Sequence, residues 1–330
     1  MLIINIHPTE TAWSFVDDTA STCSIHHYSK PIPMETIRQE SRILYLISPG
    51  QNDLQLAPEE QRTVSQQAPH IQTIFRDCLR ANPRADHRLL SENRFYQNLP
   101  PLSTRYALPA DLATRFQRAG RDALTHQWAW IKAKSILPEV KSLISIHLNS
   151  APNAVAIKNG QPVDLSAGFS QMDGLPGFHS CGEIDPSLCL TLSEKGEPPA
   201  AIEHLLAAQS GLSSVSPELA SFSQIFEQPE SLASKVLSHQ LKKTIGGMAS
   251  ALNALEAIVF SGEITPALTA WLVDLLEPLT AFGFIPTSTI SCESITRLNS
   301  PASRIQVFLM EDTPWKIAYE MFSQAQPLQS

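Results

Sequence analysis

Two rhythms of apolar and polar positions run along the chain. Short apolar runs bounded by turn residues predict strands, and longer stretches with helical spacing separate them. Residues 2–6 form the first run, and residues 13–16 (WSFV) follow a polar turn, so the chain opens as a hairpin. Residues 43–47 (ILYLI), closed by Pro49-Gly50, predict another strand. Helical spacing covers 57–80, bounded or broken by Pro58, Pro69 and Pro83, and again 108–136, with Trp128 and Trp130 among alanines. Pro100-Pro101 between them marks a hinge or domain edge. Residues 143–148 (LISIHL), 154–157 and 161–163 predict three strands, the last two joined by Asn159-Gly160, a strong hairpin signal.

Beyond Pro199 the pattern turns helical at 200–208 and 229–253. Gly246 and Gly247 lie inside the second stretch; two helical glycines cost about 2 kcal/mol relative to alanine, so close packing or a kink is expected there. A strand at 257–260 (AIVF), a helix at 266–282, a strand at 305–309 and a helix at 313–322 complete the chain, with Thr313 able to cap the last helix and Pro314 in its first turn. Strands alternating with helices make the fold class α/β.

Composition narrows the function. Thirteen glycines in 330 residues are roughly 4%, against an average of about 7%. Phosphate-cradling loops need glycine because only a residue without Cβ lets backbone approach the anion. A generic nucleotide site therefore starts at a disadvantage. The net charge of −8 argues against nucleic acid as a partner. Five cysteines without a CxxC suggest neither a disulfide framework nor a zinc site. No stretch is long and apolar enough for a membrane span and no leader pattern is present, so the expected location is cytoplasmic.

The stretch 142–190, SLISIHLNSAPNAVAIKNGQPVDLSAGFSQMDGLPGFHSCGEIDPSLCL, resembles the acetate kinase family. That family carries a strand ending in H-L-G-N-G, then K-x-G-x-S-x-D-T-S-M-G-F-T-P-L-E-G-L, then G-T-R-S-G-D-I-D-P. His147, Leu148, Gly160, Asp164, Ser166, Gly168, Phe169, Gly174, Gly182, Asp185 and Pro186 match without a gap. Fainter echoes in the same order are FYQNLP at 95–100, GRDALTH at 120–126, QSGLSSVS at 209–216 and LEAIVFSGEI at 255–264. The resemblance implies an actin-like, sugar-kinase (ribonuclease H-like) fold of two α/β domains around a central cleft. Residues 1–95 with 312–330 would form a first, trimmed domain, and 96–311 the second. The implied ligands are ATP with Mg²⁺ and a small carboxylate; the implied assembly is a homodimer, or a heteromer with an active relative.

Making an acyl phosphate means bringing two anions together, so cationic groups and a metal must gather them. Carried across one position at a time, the family's groups survive poorly. Asn5, at the metal-binding end of the first strand, is kept, but the glycine, serines and lysine of the following loop become His7, Pro8, Thr9, Glu10 and Ala12. The arginine that holds the acyl carboxylate falls at about Tyr45. The catalytic aspartate corresponds to Glu92, the histidine that steadies the transferring group to Asp122, and the transition-state arginine to Ser180, beside His179.

On the nucleotide side, H-L-G-N-G has become His147-Leu148-Asn149-Ser150-Ala151, and T-G-G-I-G-E has become Ser261-Gly262-Glu263-Ile264-Thr265-Pro266. Losing even one preorganised donor costs ~3 to 4 kcal/mol, or about 10² to 10³ in rate. The retained residues also have plainer readings. His147 can be a satisfied core histidine, Asn5 a turn former and Glu92 an ion-pair partner of Arg94, while His179 and Cys181 form a reactive pair only if a third group orients them.

The expectation is a degenerate member of that family, with little or no phosphotransferase activity, that serves as a binding or interaction module. The alternative is an active acetate or propionate kinase forming acyl phosphate from ATP and a short-chain carboxylate.

Overall fold

The computed structural model describes residues 1–6, 11–16, 23–28, 34–47, 69–91, 93–170, 172–287, 294–311, 314–322 and 326–327. Its strands in chain order are β1 (Leu2–Ile6), β2 (Thr11–Val16), β3 (Cys23–Tyr28), β4 (Arg42–Ile47), β5 (Asp86–Ser91), β6 (Ser142–His147), β7 (Asn153–Lys158), β8 (Gln161–Leu165), β9 (Ala257–Gly262), β10 (Ile295–Arg297), β11 (Gln306–Glu311) and β12 (Gln326–Pro327). The chain divides into two compact units. One comprises Met1–Gln97, Asp122–Trp128 and Asp312–Ser330; the other comprises Asn98–Arg121 and Ala129–Glu311.

Among the described residues each unit contains one six-stranded sheet, ordered β12-β5-β4-β1-β2-β3 in the first and β10-β11-β9-β6-β7-β8 in the second. The two sheets repeat one pattern. An antiparallel meander (β1-β2-β3, β6-β7-β8) comes first, and two strands parallel to its first member (β4 and β5, β9 and β11) extend the sheet. The loop after β6 is therefore the topological counterpart of residues 7–10 after β1.

Parallel strands covered on both faces should read as continuous apolar runs, and β6 and β9 are buried at every position. In the second unit Ile144, Ile146, Ile258, Phe260, Val307 and Leu309 form one face. Against them lies the Leu232–Leu252 helix, whose buried positions 233, 234, 237, 241, 245, 248 and 252 recur at helical spacing. Ser231 caps its start by accepting from Ser234 N, and Asn253 in the left-handed region ends it. In the first unit Leu2, Ile4, Ile43, Tyr45 and Leu89 pack with Ile37, Phe75 and Cys78.

The Asn159-Gly160 turn has both residues at positive φ, +51° and +79°, as a tight hairpin between twisted strands requires. Trp130 covers it, 3.1 Å from where a Cβ on Gly160 would stand.

Two sequence expectations need correction. Residues 108–136 are not one helix but two, Ala110–Arg115 and Ala123–Ile136. The intervening segment is held by Arg118 N to Thr104 O (2.7 Å) and Ala119 N to Gly168 O (3.0 Å), and Asp122 at φ +50° restarts the helix, its carbonyl accepting from His126 N. Gly246 and Gly247 are not close-packed: they lie exposed on an unbroken helix, and a Cβ on either would meet nothing within 4 Å. The helical stretch expected over 57–80 is described only from Pro69, as Pro69–Ala81. Thr313, the expected cap of the Pro314–Met321 helix, lies outside the described residues.

Candidate functional site

The second unit brings several of the candidate residues to one end of its sheet. Strands β6 and β9 run parallel and finish side by side, with His147 opposite Ser261. Leu148 N donates to Ser261 O (2.8 Å). A Cβ on Gly262 would stand 2.8 Å from Leu148 O, so the close approach of the two strand ends requires glycine there.

Asn149 closes the loop after β6 on itself. Its Oδ1 accepts from Ala151 N (2.9 Å), and its amide nitrogen donates to His147 Nδ1 (3.3 Å). An amide nitrogen only donates, so Nδ1 of His147 acts as acceptor in this arrangement. Ser150 contributes its carbonyl to Phe178 N (2.7 Å), which ties this loop to the 177–182 loop.

The 177–182 loop is fixed from several sides. Gly177 N donates to Ser180 O (3.0 Å), Ser210 N to His179 O (3.0 Å), Leu212 N to Gly177 O (2.9 Å), Ser213 N to Phe178 O (2.9 Å) and Cys181 N to Leu206 O (2.9 Å). Ser180 Oγ lies over Gly177, only 2.3 Å from where a Cβ there would be. Gly211 (φ +78°) is wedged against the carbonyls of Gly177 and Ser180, 2.4 and 2.7 Å from a hypothetical Cβ.

His179 and Cys181 take separate partners. His179 Nδ1 bonds Ser213 Oγ (3.1 Å), and the Cys181 thiol donates to the carbonyls of Met172 and Gly182. Burial raises the Cys181 pKa above its ordinary value, which disfavours the thiolate a nucleophile needs.

Beyond Gly262 the chain enters the Pro266–Leu276 helix. Thr265 caps it: Oγ1 accepts from Leu268 N (3.1 Å) and the carbonyl accepts from Thr269 N (3.0 Å). Pro266 has no N–H to offer. Glu263, two residues before the Thr265 cap, is exposed, and an acidic residue near a helix start works against a bound anion there. Thr265 and Asn149 are the closing residues that sequence reading missed as such; Thr-Pro before an apolar run was the available signal for the first. Ser261, also missed, is fully buried, and among the described residues its Oγ has no hydrogen-bond partner.

The first unit holds the remaining candidates. Asn5 lies in β1, opposite Ala12 of β2 and Leu46 of β4; its backbone is described and its side chain is not. Glu92 and the loop from His7 to Glu10 lie outside the described residues. Asp122 sits at the N-terminal end of the Ala123–Ile136 helix, where a carboxylate is favoured by the helix dipole.

Tyr45 is a core residue. It is 0% exposed, its hydroxyl bonds His87 Nδ1 (2.8 Å), and its ring packs edge-on against Phe75 at 4.7 Å between centroids. His87 Nε2 bonds the carbonyl of Asn82 (2.7 Å), so this nitrogen carries the proton and Nδ1 accepts from the tyrosine in the neutral ring. Burial holds the Tyr45 hydroxyl well above its ordinary pKa and pushes the Cys78 thiol up to about 11. The flanking residues, Leu44 and Leu46, are buried and apolar too, so a shift of one position in the alignment brings no cation to this place in β4.

Two α/β units with this repeated strand order define the class: a two-domain protein of the actin-like, sugar-kinase type. The chain belongs to the acetokinase family, whose model matches residues 64–314. It is 27% identical over 248 residues to the acetate kinase of Dictyoglomus thermophilum, a match covering 71% of this chain and 62% of that protein. It is 33% identical over 183 residues to that of Moorella thermoacetica, covering 52% and 46%. These matches thus span less than two thirds of the relatives' own length. Among solved structures the fold is similar to acetate kinase from Porphyromonas gingivalis, with TM-score 0.76 and 17% identity over 96% of this chain and 90% of that one. It is also similar to a propionate kinase from Francisella tularensis, with TM-score 0.72 and 19% identity over 96% and 97%.

Proposed function

We propose that this chain is a member of the acetokinase family that has kept the scaffold and lost phosphotransfer, and that it serves as a binding or interaction module. One observation carries the reading: four backbone donors at the end of the second unit's sheet and in the segments that adjoin it are spent on the protein itself. Ala151 N goes to Asn149, Leu148 N to Ser261, Phe178 N to Ser150 and Leu268 N to Thr265. A phosphate cradle works because its N–H groups are free to point at the anion. Here an entering phosphate would have to break these bonds.

ATP with Mg²⁺ is what the family implies, and the residues present in these loops do not fit it. Serine at 180 and the apolar flanks of Tyr45 supply no cation to offset two approaching anions. No catalytic step is therefore assigned to Glu92, Asp122 or Ser180. Asp122 serves as a helix start, and Ser180 packs its loop over Gly177.

Thermal unfolding with and without Mg-ATP tests the reading. Ligand at 100 times its dissociation constant adds ~2.7 kcal/mol to stability. The expected result is no shift at millimolar nucleotide. A clear, saturable stabilisation would instead favour the active-kinase reading.

A further inference from the structure

The Leu232–Leu252 helix packs one face on the second unit's sheet, through Leu237, Leu241, Ile245 and Met248 among others. Its other face is exposed. Lys235, His239, Lys242, Gly246 and Ser250 recur there at steps of four, three, four and four, which places them on one stripe, with Lys243 and Gly247 beside it. The charged residues of this face are all basic. From Ser231 to Leu255 the chain holds no acidic residue, although its net charge is −8. Lys235 pairs with Glu230 (2.8 Å), just before the helix, and Lys243 Nζ donates to Gln240 Oε1 (3.4 Å). Lys242 has no ion pair or hydrogen bond among the described residues.

Beyond the lysines the face is bare. Glycine inside a helix is less favourable than alanine, yet no neighbour among the described residues occupies the space that the missing side chains of Gly246 and Gly247 leave. A local rule broken without an internal reason points to function. What a bare stretch of helix permits is the close approach of a second helix, because the distance between packed helices depends on the side chains at their crossing.

We propose that this face is a docking surface for a partner protein that presents an acidic helix, its Asp or Glu side chains on Lys235, Lys242 and Lys243 and a small-residue segment over Gly246 and Gly247. Charge selects this occupant, since carboxylates complement a face whose charges are all basic. Nucleic acid would have to approach a chain that carries 32 acidic against 24 basic residues. A bilayer would find Leu232 as the one large exposed apolar side chain of this helix. The proposal deepens the module reading and rests on it for its biological meaning, but peptide binding and phosphotransfer are measured separately, so either can fail alone.

The test uses the full chain and a labelled synthetic helix, with glutamate at i, i+3 and i+4 spacing in one half and alanine and glycine in the other, read by fluorescence anisotropy. The peptide should bind wild type, more weakly as salt rises, and lose at least about tenfold in affinity with the pair Lys242→Glu and Lys243→Glu. Gly246→Leu with Gly247→Leu should give a similar loss without lowering Tm, because leucine favours the helix and blocks only the approach. Equal binding to wild type and both pairs, no binding to wild type, or equal binding of a peptide with glutamine for glutamate would overturn the proposal. So would a change in mass by light scattering with the lysine pair replaced, which would make the face a contact between copies, or wild-type binding to phosphatidylserine vesicles or duplex DNA in place of the peptide.

Discussion

Replacing Tyr45 by arginine separates a core position from a ligand-facing one, because the family's carboxylate-binding cation falls at about this residue. The tyrosine is fully buried, bonded to His87 and packed on Phe75. A guanidinium there would lose the aromatic packing, break the Tyr45–His87 bond and bring an uncompensated charge into an apolar layer lined by Leu2, Ile4, Ile37 and Ile43. Stranding a buried charge costs about 3 to 5 kcal/mol, and the lost edge-on contact with Phe75 adds about 0.5 to 1.5. Tyr45→Arg should therefore destabilise by at least about 4 kcal/mol, a large part of the 5 to 15 kcal/mol that typically holds a domain. At about 2 to 4 °C per kcal/mol for units of this size, Tm should fall by about 8 to 16 °C. Tyr45→Phe keeps the packing and should cost only about 1 to 3 kcal/mol. Urea and thermal unfolding followed by circular dichroism measure both. A Tyr45→Arg protein with wild-type stability would refute the core assignment, and binding of acetate by it would place the residue at a ligand site.

Other substitutions probe the closed loops and the helices around them. Cys78, at about pKa 11 by burial against an ordinary value near 9, should resist alkylation at pH 8 in the native protein and react once urea unfolds it. Above pH 9 the unfolded thiol loses its proton while the folded one keeps it, so this group lowers stability progressively from about pH 9 to 11; pH-dependent urea midpoints of wild type and Cys78→Ser show whether the slope in that window belongs to Cys78. Gly246→Ala and Gly247→Ala, whose Cβ would meet nothing, should each stabilise by about 1 kcal/mol. Gly211→Ala, wedged against two carbonyls at positive φ, should cost more than about 2 kcal/mol; equal Tm values for the two kinds of glycine variant would contradict this geometry. Ser261→Ala removes a buried hydroxyl without a partner among the described residues and should leave Tm unchanged or raised, whereas a drop of several degrees would reveal a bond that hydroxyl makes.

The parts of the fold legible in the sequence were those fixed by strong local signals. Asn159-Gly160 announced its hairpin, the apolar runs at β6 and β9 announced buried strands, and the stripe ending at Leu252 announced a long helix. The break before Ala123 was not legible, because it depends on one residue, Asp122, taking a left-handed conformation and on long-range bonds to Thr104 and Gly168. The Ser187–Glu194 helix escaped because its alternating leucines carry a strand-like period.

The site was half legible. Motif comparison showed which glycines and cations are missing, but not that Asn149 and Thr265 take up the N–H groups of Ala151 and Leu268. Nor could it show that Phe178 N reaches Ser150 O across 28 residues, or that Tyr45 packs on Phe75 and Cys78 of the Pro69–Ala81 helix while its hydroxyl bonds His87. Those facts are tertiary.

Trapping acyl phosphate with hydroxylamine, using acetate or propionate with Mg-ATP and the full chain, measures phosphotransfer most directly. The expected result is no hydroxamate above the level formed without protein. Hydroxamate formed in proportion to protein, and abolished by Glu92→Ala, would contradict the loss of activity and make this chain a working kinase.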